Sequence, residues 1–143
     1  MIDMKNAVHT YWALRIVLGV AAVLAGLDKF FNLLTNWEQY LNPVVPDLLH
    51  ISAVGFMHVV GIIEMIVGVA ILSGFTELFG YVMCIWLLGI IANLLSMGKF
   101  LDVALRDLGL SVSAFSLAQL STSPNRVAAI SGLFGRKNRE HPV

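Results

Sequence analysis

Charge is scarce in this chain. Only 13% of its 143 residues are Asp, Glu, Lys or Arg, roughly half the share of an ordinary soluble domain. Nine basic and nine acidic side chains cancel to a formal net charge of zero. That balance removes the general attraction to phosphate backbones and excludes nucleic acid as a partner class. Cysteine is rarer still. The one thiol, Cys84, lies in an apolar run, so an internal disulfide and a C-x-x-C redox pair are both excluded. Cysteine usage is therefore silent on compartment. His58 is the sole histidine inside an apolar segment, which excludes a bis-histidine haem held by one subunit. No H-E-x-x-H, phosphate-binding loop or dinucleotide fingerprint occurs. His58 and Glu64 stand six apart, a poor spacing for joint metal ligation on a helix. No metal and no covalent cofactor is expected.

What the chain has is apolar surface. Hydrophobic residues make up 58%, above the roughly 45–50% of soluble domains, and mean hydropathy is +0.83. Lipid is the indicated solvent. A spanning helix needs about 20 mostly apolar residues, and four stretches qualify: Trp12 to Leu34, Ile51 to Leu72, Phe75 to Met97 and Leu101 to Leu120. Lys5 and "VLAG" imitate a signal peptide, but three more apolar segments follow, so the first is expected to be a retained helix. Short links predict antiparallel neighbours. The expected fold class is all-α, an integral membrane four-helix bundle.

The long connection "TNWEQYLNPVVPDLLH", Thr35 to His50, carries Pro43 and Pro46, which oppose helical continuation. Trp37 and Tyr40 are the aromatic types that favour a membrane interface. An interfacial segment or lid between the first and second helices is expected, with an ordinary polar loop as the alternative. Residues 1–121 form the membrane domain in this reading, and 122–143 a basic tail. The tail holds Arg126, Arg136, Lys137 and Arg139. Its charge and an even number of spans predict both termini on the cytoplasmic side, in a bacterial inner membrane. Lys99 and Arg106 fall on the other side and weigh against that orientation. Ser123 and Pro124 could open a short surface helix with Val127, Ile130 and Phe134 on one face; a disordered tail is the alternative.

A charge near the bilayer centre costs at least about 2.5–3.5 kcal/mol, so charged residues in spans turn inward and find partners. On the first helix Arg15, Gly19, Ala22, Gly26 and Lys29 recur at spacings of four, three, four and three. That is one seam of small residues bracketed by cations, suited to close helix contact. Arg15 could also snorkel to head groups. On the second helix His58, Gly61, Glu64 and Gly68 share an arc of about 120°. Glu64, near mid-span, must be protonated, paired or hydrated. Asn93 on the third helix reads as interhelical hydrogen-bond glue. The fourth opens with Asp102 and Arg106, spaced for an intrahelical pair, and Asp107 beside them. The topology sets Asp28, Lys29, His58, Asn93, Arg106 and Asp107 at similar depth, an outer polar cluster floored by Glu64. Arg15 lies about six residues of rise, or roughly 9 Å, below Glu64. Together these eight residues are the candidates for a ligand site or a purely structural polar core.

The order of motifs resembles the DoxX-like family of small four-helix membrane proteins. The resemblance rests on Arg15, Gly19, Gly26, Asp28, Lys29 and Phe30; on Trp37, Tyr40 and Pro43; on Gly61, Glu64 and Gly68; and on Arg106 with Asp107. It implies a four-helix membrane fold. Some members are described as subunits of a thiosulfate:quinone oxidoreductase, others belong to oxidative-stress complexes, and eukaryotic relatives act in membrane-protein trafficking or assembly. For this chain the resemblance implies an accessory or scaffold subunit of a larger membrane complex, one of electron transfer among the options. The alternative is a quinone-binding subunit. Membrane lipids and a larger complex or homo-oligomer are the expected partners. A small transporter built on Glu64 is disfavoured, because no inverted repeat is evident beyond a short echo of "GVAAVLAGLDKF" in "GVAILSGFTELF".

Overall fold

The computed structural model describes residues 4–122. The tail after Thr122, including the expected surface helix from Ser123, lies outside the described residues. Within them the chain is all-helical, with five α-helices and no strand. These are α1 (Met4–Asp28), α2 (Val44–Leu49), α3 (Ala53–Ser73), α4 (Thr76–Met97) and α5 (Leu101–Thr122). Three of them, α1, α3 and α4, are long and apolar enough to cross a membrane. The fourth long helix, α5, falls short of that hydropathy, because Asp102, Arg106, Asp107 and several serines dilute it.

The helices pack as two antiparallel pairs, α1 with α3 and α4 with α5, laid side by side. Small residues decide both pairings. A Cβ on Gly26 would sit 2.5 Å from the Gly61 carbonyl oxygen, and one on Gly68 would sit 2.7 Å from that of Gly19. Backbones this close exclude any side chain and leave Cα–H···O contact as the polar component. A Cβ on Gly80 meets Ala118 and the Ala114 backbone in the α4–α5 seam. The apolar core lies between the pairs, around Leu18, Val67, Ile71, Leu87, Ala114 and Leu117. Most large apolar side chains point outward instead; Val17, Ile66, Ile85 and Leu105 are all more than half exposed. A soluble protein does not expose so continuous an apolar surface.

Helix ends are set by local hydrogen bonding. The expected first span runs to Leu34, but α1 stops at Asp28. The Asp28 carboxylate accepts the backbone N–H groups of Leu33 and Leu34. Asn32 turns the chain at φ 51°, the left-handed conformation that ends helices and that Asn tolerates. Apolar content alone could not show this stop. At the other end α1 begins eight residues before Trp12. Ser52 caps α3 by accepting the Gly55 N–H, and Gly74 closes it at φ 115°. The long connection also departs from expectation. It folds into a 3-10 turn at Trp37–Tyr40 and the one-and-a-half-turn α2. Pro43 and Pro46 sit at and just inside the start of α2, where a missing N–H breaks no helical bond. They begin a helix rather than preventing one.

Candidate functional site

The site is centred on a buried ion pair. Lys29, one residue past the end of α1, donates from Nζ to Glu64 Oε2 of α3 at 2.5 Å. Their side chains are 4% and 13% exposed. The pairing follows from the glycine seam: Gly61 lets α1 close until Lys29 Cβ lies beside it, and Glu64 is three residues further along the same face. Lys29 also lies 3.4 Å from the Ala25 carbonyl. Above it, the Trp37 indole covers the ammonium at 3.7 Å from Nζ to the ring centroid. That is close cation–π geometry in a desolvated place. The same indole donates Nε1–H to Asp28 Oδ2 at 2.8 Å. Trp37 thus seals the pair, and Asp28 fixes Trp37.

The segment after Trp37 is tied across the top of α4. Asn93 donates Nδ2 to the Tyr40 carbonyl at 2.6 Å and accepts the Asn42 N–H at 3.0 Å. Asn42 donates to Ser96 Oγ. The Tyr40 ring packs edge-on against Phe100 in the α4–α5 link. Asn93 is therefore glue, as its type suggests, but it binds the connecting segment and not a neighbouring span.

The other candidates fall around this centre or away from it. Arg106 does not pair with Asp102 one turn earlier. It turns to Asp107, with Nε and Nη2 each 3.1 Å from Oδ1. Asp107 is buried against the bundle while the Arg106 side chain is 60% exposed, so the guanidinium bends back over the carboxylate that most needs it. Asp107 lies near enough to repel Glu64 electrostatically. The Trp86 indole of α4 lies beside the Glu64 carboxylate, with its N–H as a donor toward it. Its Nε1 is buried and falls short of full hydrogen-bond geometry to that carboxylate, with no other partner among the described residues. His58 stacks nearly parallel on Phe30, centroids 4.6 Å apart. Arg15 sits at the opposite end. It donates to the carbonyls of Ile71 and Leu72 at 3.0 and 2.6 Å, and its guanidinium lies 4.8 Å from the Trp12 ring centroid. There it caps the C-terminus of α3, where a cation complements the helix dipole.

The structure brings Asp28, Lys29 and Glu64 together, with Asp107 as neighbour, and leaves Arg15 and Asn93 in separate networks. Trp86 belongs to the centre although its sequence context offers no sign of it, and Trp37, singled out as an interface aromatic, covers Lys29. Tyr11 and Thr76, hydrogen-bonded at 3.1 Å in the interior, likewise carried no signal. Two open depressions of about 380 and 500 Å³ lie elsewhere, one at Gly74–Leu78 and one beneath α2. Neither is lined by Lys29 or Glu64. No group of three or more metal-ligating side chains occurs among the described residues.

A chain whose described residues are all-helical, with three apolar helices of membrane-spanning length and the buried charges Lys29 and Glu64 paired with each other, is an integral membrane protein. A family model described as DoxX matches residues 11–97. The chain belongs to the DoxX family. The matched region runs from late in the first turns of α1 to the end of α4 and contains the Lys29–Glu64 pair. No curated protein and no solved structure matches the chain.

Proposed function

We propose that this protein is an accessory or scaffold subunit of a larger membrane complex, an electron-transfer assembly among the options. The closed Lys29–Glu64 pair carries the reading. Both charges at the centre of the bundle are occupied by each other and capped by Trp37, an arrangement that locks helices together. In the same reading α5 crosses the membrane beside α4, making four spans. The Trp37–Leu49 segment lies at the outer interface, and both termini face the cytoplasm. Purification in a mild detergent is expected to retain larger membrane partners. A lone monomer in native mass spectrometry, with no partner captured by cross-linking in cells, would overturn the proposal.

One observation favours the alternative, a quinone-binding subunit. The buried Trp86 N–H falls short of full hydrogen-bond geometry to Glu64, and a quinone carbonyl is an acceptor of the right kind. Under that reading the purified protein carries quinone, and Glu64→Gln, Arg106→Ala and Trp86→Phe each lower its content. Unchanged quinone content in all three variants rejects it.

A further inference from the structure

The short helix α2 is held by its ends and not by its side chains. At its start Asn42 accepts the Val44 N–H, and Asn42 is itself tied to Asn93 and Ser96 of α4. At its far end His50 closes it in the left-handed conformation, at φ 54°. Between those anchors no residue of α2 is buried. Leu48 is 75% exposed, Val44 one turn earlier 65%, and Leu49 beside them 52%. A helix of six residues is far too short to persist in water by itself, and these side chains gain little from the bundle. The segment is divided by face: Trp37, Tyr40 and Leu41 turn to the bundle, while Val44, Leu48 and Leu49 turn away from it. Such a division calls for a second apolar surface on the outer side.

We propose that this surface is the bilayer itself: the Val44–Leu48 face of α2 seats among the upper acyl chains of a leaflet whose head groups carry no net charge. Position and continuity select that occupant. The segment joins the end of α1 to the start of α3, two helices of membrane-spanning length, so it lies where hydrocarbon gives way to head groups. Phe31 and Leu33 before it and Ile51 after it are exposed and apolar too, so the lipid-facing surface of α1 and α3 continues onto it. Charge selects the kind of leaflet. Glu38 and Asp47 belong to this segment, and no Lys or Arg stands anywhere between Lys29 and Lys99. Anionic head groups repel such a segment, whereas zwitterionic ones such as phosphatidylcholine accept it. A second copy facing it would likewise set acid against acid.

The inference rests on the interfacial placement of this segment, and the test separates the two. The full chain carrying Cys84→Ser and either Leu48→Cys or Gln39→Cys is labelled with bimane and placed in phosphatidylcholine nanodiscs. Both positions are exposed, so neither substitution disturbs the core. At Leu48→Cys the fluorescence is expected to be quenched by lipid brominated near the head group. Aqueous iodide should quench it at least about fivefold less than at Gln39→Cys. Replacing half of the lipid by phosphatidylglycerol should weaken lipid quenching at Leu48→Cys, and adding Asp47→Lys should restore it. Equal iodide quenching at the two positions puts the face in water and overturns the seating; the interfacial placement survives that result if Gln39→Cys still reacts with an impermeant maleimide in intact cells. A label at Leu48→Cys shielded from both quenchers means that protein covers the face, and overturns the proposal. Stronger lipid quenching in phosphatidylglycerol overturns the choice of an uncharged leaflet.

Discussion

Lys29 and Glu64 show how a buried pair constrains each partner. Removing one charge leaves the other in low dielectric without compensation, which costs about 3–5 kcal/mol, whereas replacing both by apolar groups of similar volume is close to neutral. Lys29→Met and Glu64→Met are each expected to lower thermal stability in detergent, and the double variant to recover most of the loss. Additive losses would show that the two residues act independently. Trp37 divides into two contributions. Trp37→Phe keeps a ring over Lys29 but deletes the donor to Asp28, at a cost of about 1 kcal/mol for the lost hydrogen bond. Trp37→Ala loses the ring as well and is expected to cost more. The two melting temperatures decide the order. Glu64 as an inward, partnered residue was legible from the price of a mid-span carboxylate. Its partner was not, because Lys29 lies 35 positions away and nothing local distinguishes it from Arg15.

At the scale of elements, glycine means two different things in this fold. Gly26 and Gly61 sit where backbones touch. Gly26→Ala must push α1 off α3 and is expected to cost about 1–3 kcal/mol, typical of overpacking. Gly89 faces open space, so Gly89→Ala should hold or raise stability by up to about 1 kcal/mol through helix propensity alone. Comparing both variants by thermal unfolding in one detergent checks the seam directly. The connecting segment depends on Asn93. Asn93→Ala removes its bonds to Tyr40 and Asn42 and is expected to speed backbone hydrogen exchange at Tyr40–Asn42 while leaving α3 protected. Unchanged exchange there would mean that the aromatic contact with Phe100 suffices. The periodicity of the first helix exposed the Gly19–Ala22–Gly26 seam. The ends of α1 were hidden, since Asp28 captures N–H groups that hydropathy treats as part of the span.

For the whole molecule, four antiparallel long helices place the α1 start and the α5 end together, and the Trp37–Leu49 segment at the opposite end. A cysteine replacing exposed Gln39 in a Cys84→Ser chain is expected to react with an impermeant maleimide added to intact cells. One replacing Lys5 should react only after the membrane is opened. The reverse pattern would invert the orientation, and labelling at both positions in intact cells would break the even number of spans. Pairing of α1 with α3 and of α4 with α5 also divides the polar residues among four networks, one at each end of the α1–α3 pair, one around Asn93 on α4 and one on α5.

The sequence by itself determined the all-helical class, the apolar character of the long helices and the inward face of the Gly19–Ala22–Gly26 seam. Those properties follow from apolar content, from 3.6-residue periodicity and from the cost of burying charge, which are local or additive. Tertiary structure decided which charges meet. Lys29 finds Glu64 only because glycines on two helices let their backbones touch, and Trp37 caps the pair only because Asp28 ends α1 and turns the chain back over it. Arg106 chooses Asp107 over Asp102 because burial makes Asp107 the more demanding partner. Partner choice depends on distances across the bundle, and these are set by packing rather than by spacing along the chain.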